Sequence, residues 1–141
     1  MPSLPEISPL FAPRQRIVVF PGDCLEFLRS IPDATFQLVV TSPPYNLGKE
    51  YERRVQLDDY VEQQREVIRE CVRTLKPSGS ICWEVGNYVD DGAIVSLDVL
   101  LFPVFIELGL RCRDIRGISW LTAKRKREET RFESEHDGGM G

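Results

Sequence analysis

The residues best suited to chemistry are Thr41-Ser42-Pro43-Pro44-Tyr45, a segment that directly follows the mostly apolar run 36–40. Prolines fix φ and donate no amide hydrogen, so two in succession make a stiff turn that can point backbone carbonyls outward. The Pro43 carbonyl and the Ser42 hydroxyl can then accept the hydrogens of a planar amino group, while the Tyr45 ring stacks on the face of that group. The segment therefore predicts a site that orients an amine nitrogen.

Two candidate segments, Pro43-Pro44-Tyr45 and the turn that contains Asp23, also have ordinary structural interpretations. A Pro-Pro-Tyr sequence can be a structural turn or a polyproline-type ligand for an aromatic-lined domain. Asp23 follows Pro21-Gly22 and is by default the N-cap of a short helix. The position of the Pro-Pro-Tyr segment favours chemistry, because an open parallel sheet binds ligands at the carboxyl ends of its strands.

The elements that must hold this turn alternate between strands and helices. Strands are predicted at 16–20, 36–41, 80–85 and 112–120, and helices at 24–30, 57–75 and 93–108, with a loop at 86–92. The β-branched runs at 16–20 and 36–41 predict strands of the buried kind. Strands that alternate with helices across short connections predict βαβ units, so the fold class is α/β with a parallel sheet.

Size and charge limit the organisation of the chain. With 141 residues and 42% hydrophobic content, one domain is expected, at residues 16–121. Residues 1–15 contain four prolines and predict a flexible lead-in, and the charged segment 122–141 predicts a disordered tail. The formal net charge of −4 argues against a free-standing nucleic-acid binder, so any basic surface is local or comes from elsewhere.

The chain carries no pattern typical of a membrane span, a secretory signal or a metal site. The longest apolar run, 99–106, is far shorter than the roughly 20 residues a membrane span needs. Four widely spaced cysteines and one histidine, His136, do not form a zinc-binding pattern. We expect a cytoplasmic protein without a metal, whose cysteines are reduced and mostly buried.

Several further segments resemble a known family together with the turn. The similar blocks are Gly22-Asp23-Cys24-Leu25, Ile31-Pro32-Asp33, Leu38-Val39-Val40, TSPPYNLGKEY from Thr41, the segment from Arg69 to Gly79, and SICWEVGNY from Ser80. Together they resemble the beta-class DNA amino-methyltransferases, which methylate adenine N6 or cytosine N4. The resemblance covers about residues 16–120 and implies a Rossmann-like, S-adenosylmethionine-dependent methyltransferase fold.

The resemblance also implies roles for individual residues. The catalytic motif falls on Ser42-Pro43-Pro44-Tyr45, in which Ser42 and Pro43 orient the target amine and Tyr45 stacks on a base flipped out of double-stranded DNA. Asp23 and Thr41 border the S-adenosylmethionine pocket. Ser at position 42 resembles the cytosine-N4 branch more than the adenine-N6 branch. No Pro-Cys dipeptide occurs, which excludes the thiolate mechanism used for methylation at cytosine C5.

One block of the family pattern is missing. The FxGxG-type loop, which in this family holds the methionine part of the cofactor, has no counterpart among the late glycines of the chain. We therefore expect an incomplete parallel sheet and a truncated enzyme, or one half of a split enzyme that works with a complementing methyltransferase half. The alternative is an inactive, non-enzymatic methyltransferase remnant that associates with another subunit.

Overall fold

The computed structural model describes residues 7–50, 53–116 and 120–125, with side chains described up to residue 113. Within these residues the helices are α1 (Cys24–Ser30), α2 (Leu57–Thr74) and α3 (Leu97–Glu107). The strands are β1 (Ile7–Ser8), β2 (Ile17–Val18), β3 (Phe36–Thr41), β4 (Leu75–Glu84), β5 (Asn87–Asp90), β6 (Ala93–Ser96), β7 (Leu110–Arg116) and β8 (Trp120–Arg125). The predicted α/β class is confirmed.

The main sheet has four strands in the order β3-β4-β8-β7. β3 and β4 are parallel, and β8 runs antiparallel to both β4 and β7, so β7 points the same way as β3 and β4. The prediction of a parallel sheet is therefore right for three strands and wrong for β8. Only residues 117–119 separate β7 from β8, and a connection that short can join antiparallel neighbours but not parallel ones.

β8 also corrects the predicted boundary of the charged tail. We expected ordered structure to stop at residue 121, but the backbone of residues 120–124 pairs with β4 and that of 120–125 with β7. Charged side chains do not prevent strand formation when both backbone edges find partners. Residues 126–141 and residues 1–6 of the predicted lead-in lie outside the described residues.

α2 makes the crossover that joins β3 to β4, and Arg73 in its last turn fixes where β3 begins. The Arg73 guanidinium donates to the Leu28 carbonyl at 2.7 Å and to the Ile31 carbonyl at 2.9 Å, at the C-terminal end of α1. It also pairs with Asp33 at 2.6 Å. Together these bonds hold the segment between α1 and β3 against α2, so the following strand starts from a defined position.

The core lies between the helices and one face of the main sheet. Along β4, Ile81 and Trp83 are buried at 0% and 1% exposure, and the Trp83 ring meets Phe105 of α3 edge-on at a centroid distance of 5.8 Å. The opposite face of β3 is open, since Leu38 and Val40 are 57% and 58% exposed. The prediction that residues 36–41 form a fully buried strand is wrong, because no described element covers that face.

Two other sequence predictions fail, one before α1 and one in the hairpin that follows β4. Residues 16–20 form only the two-residue β2, which pairs with β1 and leaves Ile17 38% exposed. The predicted loop at 86–92 and the start of the predicted helix form the β5–β6 hairpin. Asp91 and Gly92 turn it with φ of 47° and 77°, the Asp-Gly geometry of a tight hairpin turn.

Candidate active site

The Ser42–Tyr45 turn begins where β3 ends, as the sequence predicted. Thr41 is the last residue of β3, is half-buried, and lies beside Trp83 of β4 in the parallel register. Ser42 and Pro44 are exposed, whereas Pro43 and Tyr45 are half-buried. The turn thus lies at the carboxyl edge of the sheet, where α/β folds bind ligands.

The two side chains of the turn that carry hydroxyls contact each other. Ser42 Oγ and the Tyr45 hydroxyl oxygen are 3.1 Å apart, and either group can be the donor. A serine hydroxyl that donates its one hydrogen keeps two lone pairs for other donors. If Ser42 donates to Tyr45, its oxygen is able to accept hydrogens from an amine.

Gly86, just after β4, provides the surface on which the Tyr45 ring lies. A β-carbon built at residue 86 would come within 3.0 Å of Tyr45 Cε2 and 3.2 Å of Cδ2. A side chain at this position would therefore force the ring to shift. The ends of β3 and β4 meet through this contact, which the sequence analysis did not identify.

Tyr60 fixes the backbone of the turn from the first part of α2. Its side chain is 3% exposed, and its hydroxyl donates a 2.8 Å hydrogen bond to the Pro44 carbonyl. The Pro44 carbonyl is thus engaged within the protein, while that of Pro43 is the one assigned to an incoming amine. A buried donor at this distance defines the orientation of the Pro44–Tyr45 peptide plane.

The Asn46 side chain, directly after the turn, is hydrogen-bonded to the backbone of Val55. It is 2% exposed and has a φ of +60°. Its Nδ2 donates to the Val55 carbonyl at 2.8 Å, and its Oδ1 accepts from the Val55 amide at 2.7 Å. Asparagine tolerates this left-handed conformation better than most residues, and the paired bonds tie residues 46 and 55 together.

Asp23 has the structural role that its position favours. Its Oδ1 accepts hydrogen bonds from the amides of Leu25 at 2.8 Å and Glu26 at 3.3 Å, which caps the N-terminus of α1. The assignment of Asp23 and Thr41 to a cofactor pocket stays a prediction. Asp23 is exposed, so the cap does not remove its carboxylate from solvent.

A cavity of about 690 Å³ lies beside Asn46, between the start of α2 and the β5–β6 hairpin. Arg54, which lines this cavity, forms a salt bridge with Asp90, with 2.6 Å between Arg54 Nη2 and Asp90 Oδ2. The guanidinium carbon of Arg54 lies 5.8 Å from the centroid of the Tyr88 ring. The hydrogen bond and the charge of Asp90 raise the pKa of Arg54. Arg54 is therefore paired within the protein and is a poor candidate for binding an external anion.

A second cavity, of about 370 Å³, lies on the α2 side of the turn. Its lining comprises Pro44, Asn46, Arg53, Val55, Tyr60, Gln63 and Gln64. Gln64 is only 7% exposed and occupies a position in the buried stripe of α2. A polar residue one turn after Tyr60, within an otherwise apolar helical period, is a local signal for this buried glutamine, and the sequence prediction missed it.

The cysteines and the described acidic residues form neither a disulfide nor a metal-binding group. Across the described residues, no cluster of three or more histidine, cysteine or carboxylate side chains could hold a metal ion. No disulfide links the four cysteines; Cys71 is buried but Cys24 is exposed, so the expected burial does not hold for Cys24. Burial raises the pKa of Cys71 to about 12. None of the described helices is long and apolar enough to cross a membrane.

Solved structures that share this arrangement of strands and helices include DNA methylases, which places the chain in the Rossmann-like methyltransferase class. TTHA0409 of Thermus thermophilus, described as a DNA modification methylase, is 25% identical with a TM-score of 0.60, over 74% of this chain and 50% of TTHA0409. Its complex with S-adenosyl-L-methionine gives 24% identity and a TM-score of 0.58. The cytosine-N4-specific PvuII DNA methyltransferase has the same fold, with a TM-score of 0.56 over 72% of this chain and 45% of its own.

The chain belongs to the N6/N4 DNA methylase family, which its residues 36–136 match. It is 41% identical over 136 residues to the Type II methyltransferase M.BglII of Bacillus subtilis, a match that covers 95% of this chain and 37% of M.BglII. The Type II beta methyltransferase M.BslI of Bacillus sp. strain NEB-606 is 36% identical over 91 residues, or 64% of this chain and 10% of M.BslI. The resemblance found in the sequence is confirmed, and the chain spans well under half the length of these two relatives.

Proposed function

We propose that this chain carries the base-methylating motif of a Type II DNA methyltransferase that transfers a methyl group from S-adenosylmethionine to the exocyclic amine of a flipped base. Cytosine N4 is favoured over adenine N6 because residue 42 is Ser. The observation that carries the proposal is the Ser42–Tyr45 turn at the carboxyl end of β3, braced by Tyr60 and by the contact with Gly86. Family membership supports the same reaction.

In this proposal the turn acts by positioning. The Pro43 carbonyl and Ser42 Oγ accept the two amine hydrogens, which directs the nitrogen lone pair outward. The Pro44 carbonyl is not assigned this role, because it points to the Tyr60 hydroxyl of α2. Holding the nitrogen in line with the reacting methyl group is the main contribution to rate, since no covalent enzyme intermediate is required.

S-adenosylmethionine supplies the electrophilic methyl group in this reaction. Among the described residues, Asp23 and Thr41 are the ones we assign to its pocket. Asp23 presents an exposed carboxylate of which one oxygen caps α1, which suits contact with a hydroxyl or ammonium group of the cofactor. We propose that an FxGxG-type loop, supplied by a complementing methyltransferase segment, holds the methionine part.

Tyr45 stacks on the flipped base. Its ring is half-buried with one side against Gly86, which leaves part of the ring accessible at the carboxyl edge of the sheet. The hydrogen bond between its hydroxyl and Ser42 fixes the ring beside the group that accepts the amine. A base stacked there would present its amino group to Ser42 and Pro43.

Complementation tests this proposal. The chain is mixed with the part of M.BglII that it does not match, and methyl transfer from tritiated S-adenosylmethionine to duplex DNA is measured. The methylated base is identified by mass spectrometry, with N4-methylcytosine expected. Methyl transfer that requires both components supports the proposal, and none in any mixture favours the non-enzymatic alternative.

Tyr45 provides the residue-level test in the same assay. Tyr45→Ala removes a stacking contact worth about 1–3 kcal/mol, so the rate should fall by about 5- to 150-fold. Tyr45→Phe keeps the ring and loses only the hydroxyl contact with Ser42, so its effect should be small. Equal rates for the wild type and Tyr45→Ala would remove Tyr45 from the site.

A further inference from the structure

The smaller cavity beside the turn, which we call the Gln64 pocket, has features that the methylation site does not use. It is lined by Pro44 on the side of the turn, but Tyr45 is not part of its wall. Its other walls come from α2 and from the segment before it. The pocket is therefore distinct from the surface on which the target base is proposed to stack.

Gln64 marks this pocket as more than a packing gap. The residue is 7% exposed, and its Oε1 is buried without a hydrogen-bond donor in the described part of the chain. An unpartnered carbonyl oxygen inside a protein is destabilising, whereas an apolar side chain of the same shape is not. The terminal torsion of glutamine is broad and roughly two-fold, so a rotation that exchanges the amide oxygen and nitrogen can turn this buried oxygen toward a ligand.

The other lining residues narrow the ligand class. Pro44 and Val55 provide apolar surface, and Arg53 is the sole charged residue among those that line the pocket. Arg53 is exposed, and it adds a positive charge here to a chain of net charge −4. A planar ring with an N–H donor, joined to an anionic group, matches an acceptor oxygen, apolar walls and a nearby cation.

We propose that the Gln64 pocket binds a nucleotide of the DNA whose base carries an exocyclic amino group (adenine, cytosine or guanine), separate from the base that is methylated. Gln64 Oε1 accepts a hydrogen bond from the exocyclic amino group, and Arg53 faces the phosphate. The inference rests on the proposed function only in naming DNA as the source of the nucleotide. A pocket of this kind would hold a second nucleotide near the turn and so contribute to the choice of DNA site.

Nucleotide titrations of the full chain test the pocket directly. The probes are dAMP and dCMP, each followed through the side-chain amide NMR signal of Gln64, with S-adenosylhomocysteine as an adenine-bearing probe that lacks a phosphate. Binding of both nucleotides should shift that signal, with dissociation constants in the millimolar range. An unmoved Gln64 signal with both nucleotides, or a preference for S-adenosylhomocysteine over dAMP, would overturn the proposal.

Gln64→Met and Gln15→Met form a matched pair, because the same change is made inside and outside the pocket. Gln64→Met should weaken dAMP and dCMP binding by about two- to tenfold, the equivalent of one neutral hydrogen bond, without lowering the melting temperature. Gln15→Met should leave both affinities unchanged. Unchanged nucleotide affinity in Gln64→Met would mean that the residue is only structural.

Arg53→Gln separates the two halves of the proposed contact. It should weaken dAMP binding but leave the binding of deoxyadenosine, which has no phosphate, unaltered.

In the complemented enzyme, Gln64→Met should raise KM for DNA with kcat preserved. If the wild type methylates DNA and Gln64→Met has the same KM, the pocket inference fails while the proposed function stands. If nucleotides bind at Gln64 but the chain never supports methylation, the pocket inference stands and the proposed function is rejected.

Discussion

The hydrogen bond from Tyr60 to the Pro44 carbonyl should contribute measurably to stability, and Tyr60→Phe removes only the hydroxyl that makes it. The donor is 3% exposed and the distance is 2.8 Å. A neutral hydrogen bond contributes about 0.5–1.5 kcal/mol to the free energy of unfolding. Pro44 is exposed, so water can satisfy its carbonyl in the variant and the full penalty for an unpaired buried acceptor does not apply.

We therefore expect Tyr60→Phe to cost about 1 kcal/mol, which corresponds to a decrease of about 4 °C in melting temperature for a domain of this size. Thermal and urea unfolding, followed by circular dichroism, measure both quantities. Tyr88→Phe is the matched control, because the Tyr88 hydroxyl is buried and its hydrogen bond with Arg54 is the weakest of the interactions that raise the pKa of Arg54. Removal of that hydroxyl should leave the melting temperature unchanged or raise it.

The two variants make the same chemical change. They are expected to shift the melting temperature in opposite directions, or by clearly different amounts. If Tyr88→Phe lowers the melting temperature as much as Tyr60→Phe, the loss reflects the general removal of a tyrosine hydroxyl. The Pro44 contact would then have no special part in holding the turn.

Three further outcomes follow from the same structure. Gly86→Ala places a methyl group 3.0 Å from Tyr45 Cε2, so the Tyr45 ring must shift by about a few tenths of an ångström and methyl transfer in the complemented enzyme should slow; an unaffected rate would contradict the positioning role. Asn46→Ala loses two hydrogen bonds and strains a residue at φ +60°, so it should cost about 2–4 kcal/mol, and Asn46→Gly should cost about 1 kcal/mol less. The pKa of Cys71 is raised from 9.0 to about 12, so the unfolded chain loses this proton first and stability should fall between about pH 9 and pH 12. Urea unfolding at pH 8 and pH 10 should differ by about 1 kcal/mol from this group alone, and a Cys71→Ala variant should lose that part of the difference.

Local patterns in the sequence predicted the part of the fold that depends on neighbours along the chain. Helix α1 begins and ends as expected, because Asp23 supplies its cap and the apolar spacing defines its face. The turn at 42–45 follows its strand because an apolar run that meets two prolines has few other conformations. These features need no knowledge of distant residues.

Features that depend on distant pairing were predicted poorly. The reversed direction of β8 is determined by the short connection after β7 and by the open edge of β4, and neither is visible in residues 120–125 themselves. The exposure of Leu38 depends on which elements cover the sheet, not on the composition of β3. In contrast, Asp91-Gly92 and Gln64 did carry local signals, a hairpin turn and a polar residue in an apolar stripe.

The place of β8 between β4 and β7 has a consequence for how the chain acquires its structure during synthesis. β8 comes last along the described chain but pairs with strands on both sides, so β7 cannot join the main sheet until residue 125 has left the ribosome. Helix α3 contacts β7, so its final packing also depends on the synthesis of β8. A fragment that stops at Trp120 would lose most of one strand and detach another, so any shortened form of this chain should extend beyond Arg125.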